Sequence, residues 1–253
     1  MPFTPTALRF FRQLAAHNDK QWFEAHRTDY EQQVREPMRE LIEELDARLA
    51  RFAPEIGGDP KRSMFRINRD IRFSSDKSPY KTHAACWFHH RAASGRVGSE
   101  APEGSAGFYF HLQPGKSSVG AGLWMPPRQQ LNKLRAAIAE KPDPFIRMVR
   151  ELPKRFGGLD TEAMLKRMPR GYSDDHPAAQ WLRYQSFTSG RSLTDAQVTN
   201  AKLPALLERE FDGLLPLVRW LNGTLGLADR ARGRSASDAA AARPPHASLG
   251  SLR

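Results

Sequence analysis

Most of the side chains that could do chemistry lie in one short stretch of the chain, residues 66–80. Arginine binds planar carboxylate or phosphate groups through paired hydrogen bonds, because its donors form a rigid fork, and lysine adds a compact positive charge. Cations at this density indicate a site for a phosphorylated or carboxylated small molecule. The predicted ligand-binding residues of the stretch are Arg66, Arg69, Arg72 and Lys77.

The same stretch contains groups that could move protons, so an enzyme acting on an anionic substrate is the alternative. Asp70 or Asp76 would be the acid or base, and Tyr80 a proton donor, while the arginines would stabilise developing negative charge. A catalytic acid needs a raised pKa, whereas carboxylates surrounded by cations should have lowered pKa values. This argument favours binding over general-acid catalysis and leaves open whether the chain is an enzyme.

A third interpretation of the stretch requires no ligand, because its carboxylates could pair with arginines in a salt-bridge network that orders a loop. A further candidate, Arg170, could line the same cleft, since it lies in the Pro- and Gly-containing segment 153–180 and sites are often built on irregular segments. The alternative for this second segment is a plain turn, with Gly171 at positive φ and Tyr172 packed on the domain.

The formal net charge of +11 is concentrated in the middle of the chain and at its C-terminal end. Residues 61–100 contain nine Lys or Arg against three Asp or Glu, and a basic centre suggests an anionic partner. Tyr109, Phe110 and Trp124 could stack the bases of a nucleic acid. No recognisable nucleic-acid-binding motif accompanies them, so a small anion is the preferred partner.

Several other classes of protein are disfavoured. No apolar run approaches the roughly 18 residues of a membrane-spanning helix. Residues 1–6 lack the layout of a signal peptide, which predicts a cytoplasmic protein. Cys86 is the only cysteine, so neither an internal disulfide nor a Cys-based zinc site can form. His89 and His90 would point to opposite faces of a strand, and we expect no metal, no cofactor and no membrane contact; no oligomeric state is indicated.

Helices are predicted at both ends of the chain. Asn18 and Gln21 have the spacing of a capping box that starts a short helix. An apolar stripe with helical spacing follows at Met38, Leu41, Ile42, Leu45, Leu49 and Phe52. The last helix is expected over 203–221, with a kink or break at Pro216.

The middle of the chain predicts strands over 63–73, 84–90, 107–113 and 117–124, with another over 181–188. The predicted fold is therefore α+β, with a central, mostly antiparallel sheet on which the N- and C-terminal helices pack. One domain should span residues 1–227. Residues 228–253 form an Ala-, Arg-, Ser- and Pro-rich tail that has too little apolar surface to fold and is predicted to be disordered.

The spacing of the charged stretch carries a resemblance to a known family. Arg66, Arg69, Asp70, Arg72, Phe73, Asp76, Lys77 and Tyr80 resemble the defining motif of a bacterial family, the domain of unknown function 2461 family. Three other segments agree with it: Phe11, Leu14, Asn18, Trp22 and Phe23; Gly120, Gly122, Trp124 and Pro126; and residues 165–172. The resemblance covers about residues 5–222 and implies no established chemistry.

Overall fold

The computed structural model describes residues 3–72, 76–93 and 104–227. The predicted C-terminal tail, residues 228–253, lies outside these ranges. So do positions 94–103, between the predicted strands over 84–90 and 107–113. No described helix is long and apolar enough to cross a bilayer.

The N-terminal quarter of the chain is helical, as predicted. α1 (Pro5–Ala16), α2 (Lys20–Ala25) and α3 (Arg27–Tyr30) lead through a π-helical turn (Glu31–Arg35) into α4 (Glu36–Phe52). Pro37 is the second residue of α4 and has no N–H to donate, so the widened turn before it accommodates the missing bond. The predicted apolar stripe of α4 is buried from Met38 to Leu49, and its last member, Phe52, is partly buried against the core.

The predicted capping box at Asn18 is wrong by one residue. Asp19 is the N-cap of α2, and its carboxylate accepts a hydrogen bond from the Trp22 N–H at 2.8 Å. Asn18 has a different partner, far away in the sequence, which local spacing does not reveal.

The sheet has five strands in the order of the chain, and every neighbouring pair is antiparallel. This arrangement confirms the α+β class with an antiparallel sheet. The strands are β1 (Ile56–Gly57), β2 (Ala84–His90), β3 (Gly107–Leu112), β4 (Ser117–Leu123) and β5 (Phe187–Leu193).

Three predicted elements need correction. Residues 63–73 form no strand in their described part and make only isolated bridges, Met64 to Cys86 and Asn68 to Tyr80. The strand expected over 181–188 begins at Phe187, because the preceding residues form helix α7 (Ala179–Leu182). Pro216 does not break α9 (Leu203–Leu225), since packing on the sheet outweighs the one hydrogen bond that proline cannot make.

The hydrophobic core lies between the helices and one face of the sheet. Phe211 of α9 packs on Phe108 and Phe88, with ring centroids 4.6 and 5.6 Å apart. Cys86 is fully buried on the same face, as predicted for a core residue. The remaining helices are α5 (Arg128–Glu140), α6 (Pro142–Glu151), a 3₁₀ turn (Lys154–Phe156) and α8 (Asp195–Val198).

One buried carboxylate ties the C-terminal elements together. Glu210 of α9 is fully buried and accepts hydrogen bonds from Arg155 at 2.5 Å, Arg191 at 3.0 Å and Arg209 at 3.2 Å. Burial opposes its charge, but the three guanidinium groups outweigh it and lower the pKa of Glu210 to about 2. The contacts join α9 to β5 and to the 3₁₀ turn.

Glu210→Gln should reduce the free energy of unfolding by roughly 3 kcal/mol, because the arginines lose a buried anionic partner. The charge of Glu210 contributes fully above its ordinary pKa of 4.5, and the contribution is lost as the pH falls toward 2. Urea unfolding at several pH values should therefore show the difference between wild type and variant shrinking below about pH 4.5. Asp212→Asn, at an exposed position of α9, is the control and should cost about 1 kcal/mol or less; equal losses in both variants would contradict this account.

Candidate functional site

The charged stretch forms a loop that is closed at its base by a short antiparallel pairing. The Arg69 N–H donates to the Pro79 carbonyl at 2.9 Å, and the Lys81 N–H donates to the Ile67 carbonyl at 2.8 Å. We call residues 66–81 the cationic loop; positions 73–75 within it lie outside the described residues. The pairing holds the two ends of the loop together.

Asn18 and Phe23, from the N-terminal helices, hold the base of the cationic loop. The Asn18 side chain donates to the Tyr80 carbonyl at 2.9 Å and accepts from the Tyr80 N–H at 3.1 Å. The Tyr80 ring stacks on Phe23 with centroids 4.0 Å apart, and only 5% of Tyr80 is exposed. Burial raises the pKa of Tyr80, and its hydroxyl lies near Glu24 and Arg27. Tyr80 thus anchors the loop to the domain.

Inside the loop both carboxylates have arginine partners. Asp70 accepts two hydrogen bonds from the Arg72 guanidinium, at 3.0 and 2.7 Å, and Arg69 lies 3.0 Å from Asp76. Hydrogen bonds from Arg72 lower the pKa of Asp70, and hydrogen bonds from Ser78 lower the pKa of Asp76. Carboxylates held in the charged form are poor proton donors near neutral pH.

The two other cations predicted as ligands differ in their surroundings. The Lys77 ammonium donates to the Ile71 carbonyl at 2.8 Å and so folds back on the loop. Arg66 is 52% exposed and lies 3.9 Å from Asp70, beyond hydrogen-bond distance. The structure therefore brings together all four predicted cations and both carboxylates in one loop, but engages them unequally.

Lys81 is a member of this site that the sequence analysis missed. Its side chain is partly buried, and burial, followed by the nearby charges of Arg66 and Arg69, lowers the pKa of Lys81. It forms no ion pair with any carboxylate among the described residues. The alternation of side chains in an extended segment could have revealed it, since Lys81 must point away from the buried Tyr80.

The cationic loop adjoins a large cavity on the sheet face opposite α9. The Lys81 ammonium lies 5.6 Å from the centre of the Phe65 ring, and Phe65 contacts Tyr109 edge-on at 6.1 Å. Phe65, Tyr109 and Trp124 line the cavity, which has a volume of about 970 Å³. Phe110, proposed with them to stack bases, is instead fully buried in the core.

Arg170 lies on an exposed turn, and no described contact joins it to the cationic loop. The turn is closed by a hydrogen bond of 3.3 Å from the Tyr172 N–H to the Pro169 carbonyl. Gly171 has a φ of +92°, and Tyr172 packs against the core, as the turn interpretation predicted.

Two half-buried histidines, His83 and His111, lie beside each other. The rings of His83 and His111 are 4.4 Å apart, and burial lowers the pKa of both, that of His83 to about 3. His111 bonds to the Tyr109 hydroxyl and to the Gln113 side chain, at 2.9 Å each. Within the described ranges, no group of three or more His, Cys, Asp or Glu side chains is arranged to hold a metal ion.

The chain was compared with known families, curated proteins and solved structures. Residues 6–220 match the model of a family described as "Conserved hypothetical protein (DUF2461)". No curated protein and no solved structure gives a significant match.

Asn18→Ala should lower the free energy of unfolding by about 2 kcal/mol, because it leaves both peptide groups of Tyr80 without their partner. Asn132→Ala, at an exposed position of α5, is the control and should change it by less than about 0.5 kcal/mol. Urea unfolding measures both. An Asn18→Ala variant as stable as the control would show that the amide does not hold the loop.

Proposed function

The chain belongs to the DUF2461 family of conserved hypothetical proteins, a membership that assigns no chemistry, and we propose that it binds a small phosphorylated or carboxylated ligand at the cationic loop. The observation that carries the proposal is the position of Lys81. Burial and the charges of Arg66 and Arg69 both disfavour the charged form of the Lys81 ammonium, as its lowered pKa indicates. A bound anion would relieve this repulsion.

The charge balance of the loop supports the same ligand class. Five cations, Arg66, Arg69, Arg72, Lys77 and Lys81, face two carboxylates. The Arg69 Nε is buried and has no hydrogen-bond partner among the described residues. A phosphate or carboxylate oxygen can accept from this donor, because the planar guanidinium offers further hydrogen bonds once Asp76 has taken one.

We assign separate roles within the loop. Arg66, Arg69 and Lys81 contact the anion, while Asp70 and Asp76 hold the arginines in fixed rotamers. Arg72 and Lys77 hold the described part of the loop in shape through Asp70 and the Ile71 carbonyl. The enzyme alternative receives less support, because the pKa of each carboxylate is lowered and a general acid requires the opposite shift.

A purely structural role explains the loop less well. The Arg72 side chain is 74% exposed in its pair with Asp70, and Asp76 is 53% exposed in its pair with Arg69. Exposed pairs of this kind contribute little to stability, because water screens the charges and ordering the side chains costs entropy. Binding of an anion would explain why these charged side chains lie together.

Titration calorimetry with inorganic phosphate, pyrophosphate and citrate tests the proposal. At least one of them should bind wild type at about millimolar concentration or below. Lys81→Gln should weaken binding by about tenfold or more, and Arg69→Lys should not retain full affinity, because lysine lacks the planar fork. Affinity should also fall with added salt.

Lys133→Gln provides the charge-matched control, since Lys133 is exposed on α5 and outside the loop. It should bind as wild type does, and all variants should keep the wild-type unfolding midpoint to within a few degrees, about 1 kcal/mol. If none of the three anions binds, or if Lys81→Gln and Lys133→Gln behave alike, the proposal is wrong.

A further inference from the structure

The cavity beside the cationic loop is built from segments that are far apart in the sequence. Its floor is the sheet face opposite α9, and its walls come from Phe65, from the connection between β4 and α5, and from the segment around Asp160. Its volume of about 970 Å³ is at the upper end of the range of small-molecule sites.

Three buried polar atoms that line the cavity have no hydrogen-bond partner among the described residues. They are the indole Nε1 of Trp87, the Oγ1 of Thr188 and the side-chain oxygen of Gln130; a fourth such atom, the Arg191 Nε, belongs to a guanidinium that is already paired with Glu210. Trp87 is 95% buried, with 5% of its surface exposed. Asp160 lies near Thr188, but the two side chains do not meet the geometry of a hydrogen bond. Buried polar groups in proteins are nearly always bonded, so these three need a partner that enters the cavity.

Together the three groups offer both hydrogen-bond donors and hydrogen-bond acceptors to the cavity. The indole N–H can only donate, the hydroxyl can donate or accept, and the terminal amide can do either according to which way it is turned. Water molecules can form hydrogen bonds with these groups. A ligand that replaces this water must offer donors and acceptors of its own.

The floor and walls favour a flat body. Gly120 and Gly190 lie opposite each other in the pairing of β4 with β5 and place no side chain on the floor. A Cβ at Gly190 would lie 2.5 Å from the Val119 carbonyl oxygen, so the close approach of the strands requires glycine there. Phe65, Tyr109 and the half-exposed Trp124 supply aromatic surface around this floor.

We infer that the cavity binds an uncharged ring with a broad face that can lie on this floor and with both donors and acceptors on its edge, the chemistry shared by a sugar ring and a heterocyclic base. Asp160 and Glu162 stand at the wall of the cavity and would repel an anionic body, whereas the Arg191 guanidinium in the same lining is already paired with Glu210. The inference concerns a second binding surface and does not depend on an anion at the cationic loop.

The test uses the full chain and two sets of probes, adenine and uracil on one side, glucose and N-acetylglucosamine on the other. Saturation-transfer NMR should show that at least one probe binds at about millimolar concentration, and the set to which it belongs distinguishes the two sources of the ring. Thr188→Val and Gln130→Met should each weaken that binding by about tenfold, equivalent to about 1.4 kcal/mol.

Two controls separate binding from folding. Thr188→Val should leave the unfolding midpoint unchanged or higher, because it removes a hydroxyl without an internal partner. Thr199→Val should lower the midpoint and leave binding unchanged, because that hydroxyl donates to the Asp195 carbonyl at 2.9 Å.

Several outcomes would overturn the inference. Failure of all four probes to bind, or equal binding by wild type, Thr188→Val and Gln130→Met, would show that the cavity does not take such a ring. A lower midpoint in Thr188→Val would show that the hydroxyl already has a partner inside the protein.

Discussion

The hydrogen bonds between the Asn18 amide and the backbone of Tyr80 are the constraint on which the site depends. They join residues 62 positions apart and fix the end of the cationic loop to the N-terminal helices. With Tyr80 held by Asn18 and stacked on Phe23, the next residue, Lys81, must point to the other side, toward Phe65 and the arginines. The N-terminal helices thus set the position of the Lys81 ammonium beside the cavity on the sheet.

Regular patterns made much of the fold predictable. The helical stripe of α4 and the bounds of β2, β3 and β4 follow from apolar spacing, because each element buries one face in the core. The failures have physical causes. Residues 63–73 have the apolar alternation of a strand, but their described part pairs only at Met64 and Asn68. The Asn18 amide bonds to the distant backbone of Tyr80 instead of capping its own helix. Local spacing contains neither kind of information.

The sequence revealed which residues form the cationic loop but not which partners their side chains would have. The density of charge at 66–80 indicated where the cations would lie. The pairing that leaves Lys81 without a carboxylate partner among the described residues arises only when the loop closes. The cavity could not be predicted at all, since Trp87, Gln130 and Thr188 come from three different elements. Two of its polar groups meet because β2 and β5 belong to one sheet whose second face is not filled by α9, and α5 supplies the third.

The most direct measurement of the central claim, that Lys81 is a cation lacking an anion, is its pKa in solution. NMR of the ¹³C-methylated protein can follow each lysine with pH, and Lys81→Gln identifies the signal by its absence. The account predicts that Lys81 titrates below the ordinary value of 10.5 in the free protein and at higher pH once phosphate is added, because a bound anion stabilises the charged form. An ordinary pKa that phosphate leaves unchanged would contradict it.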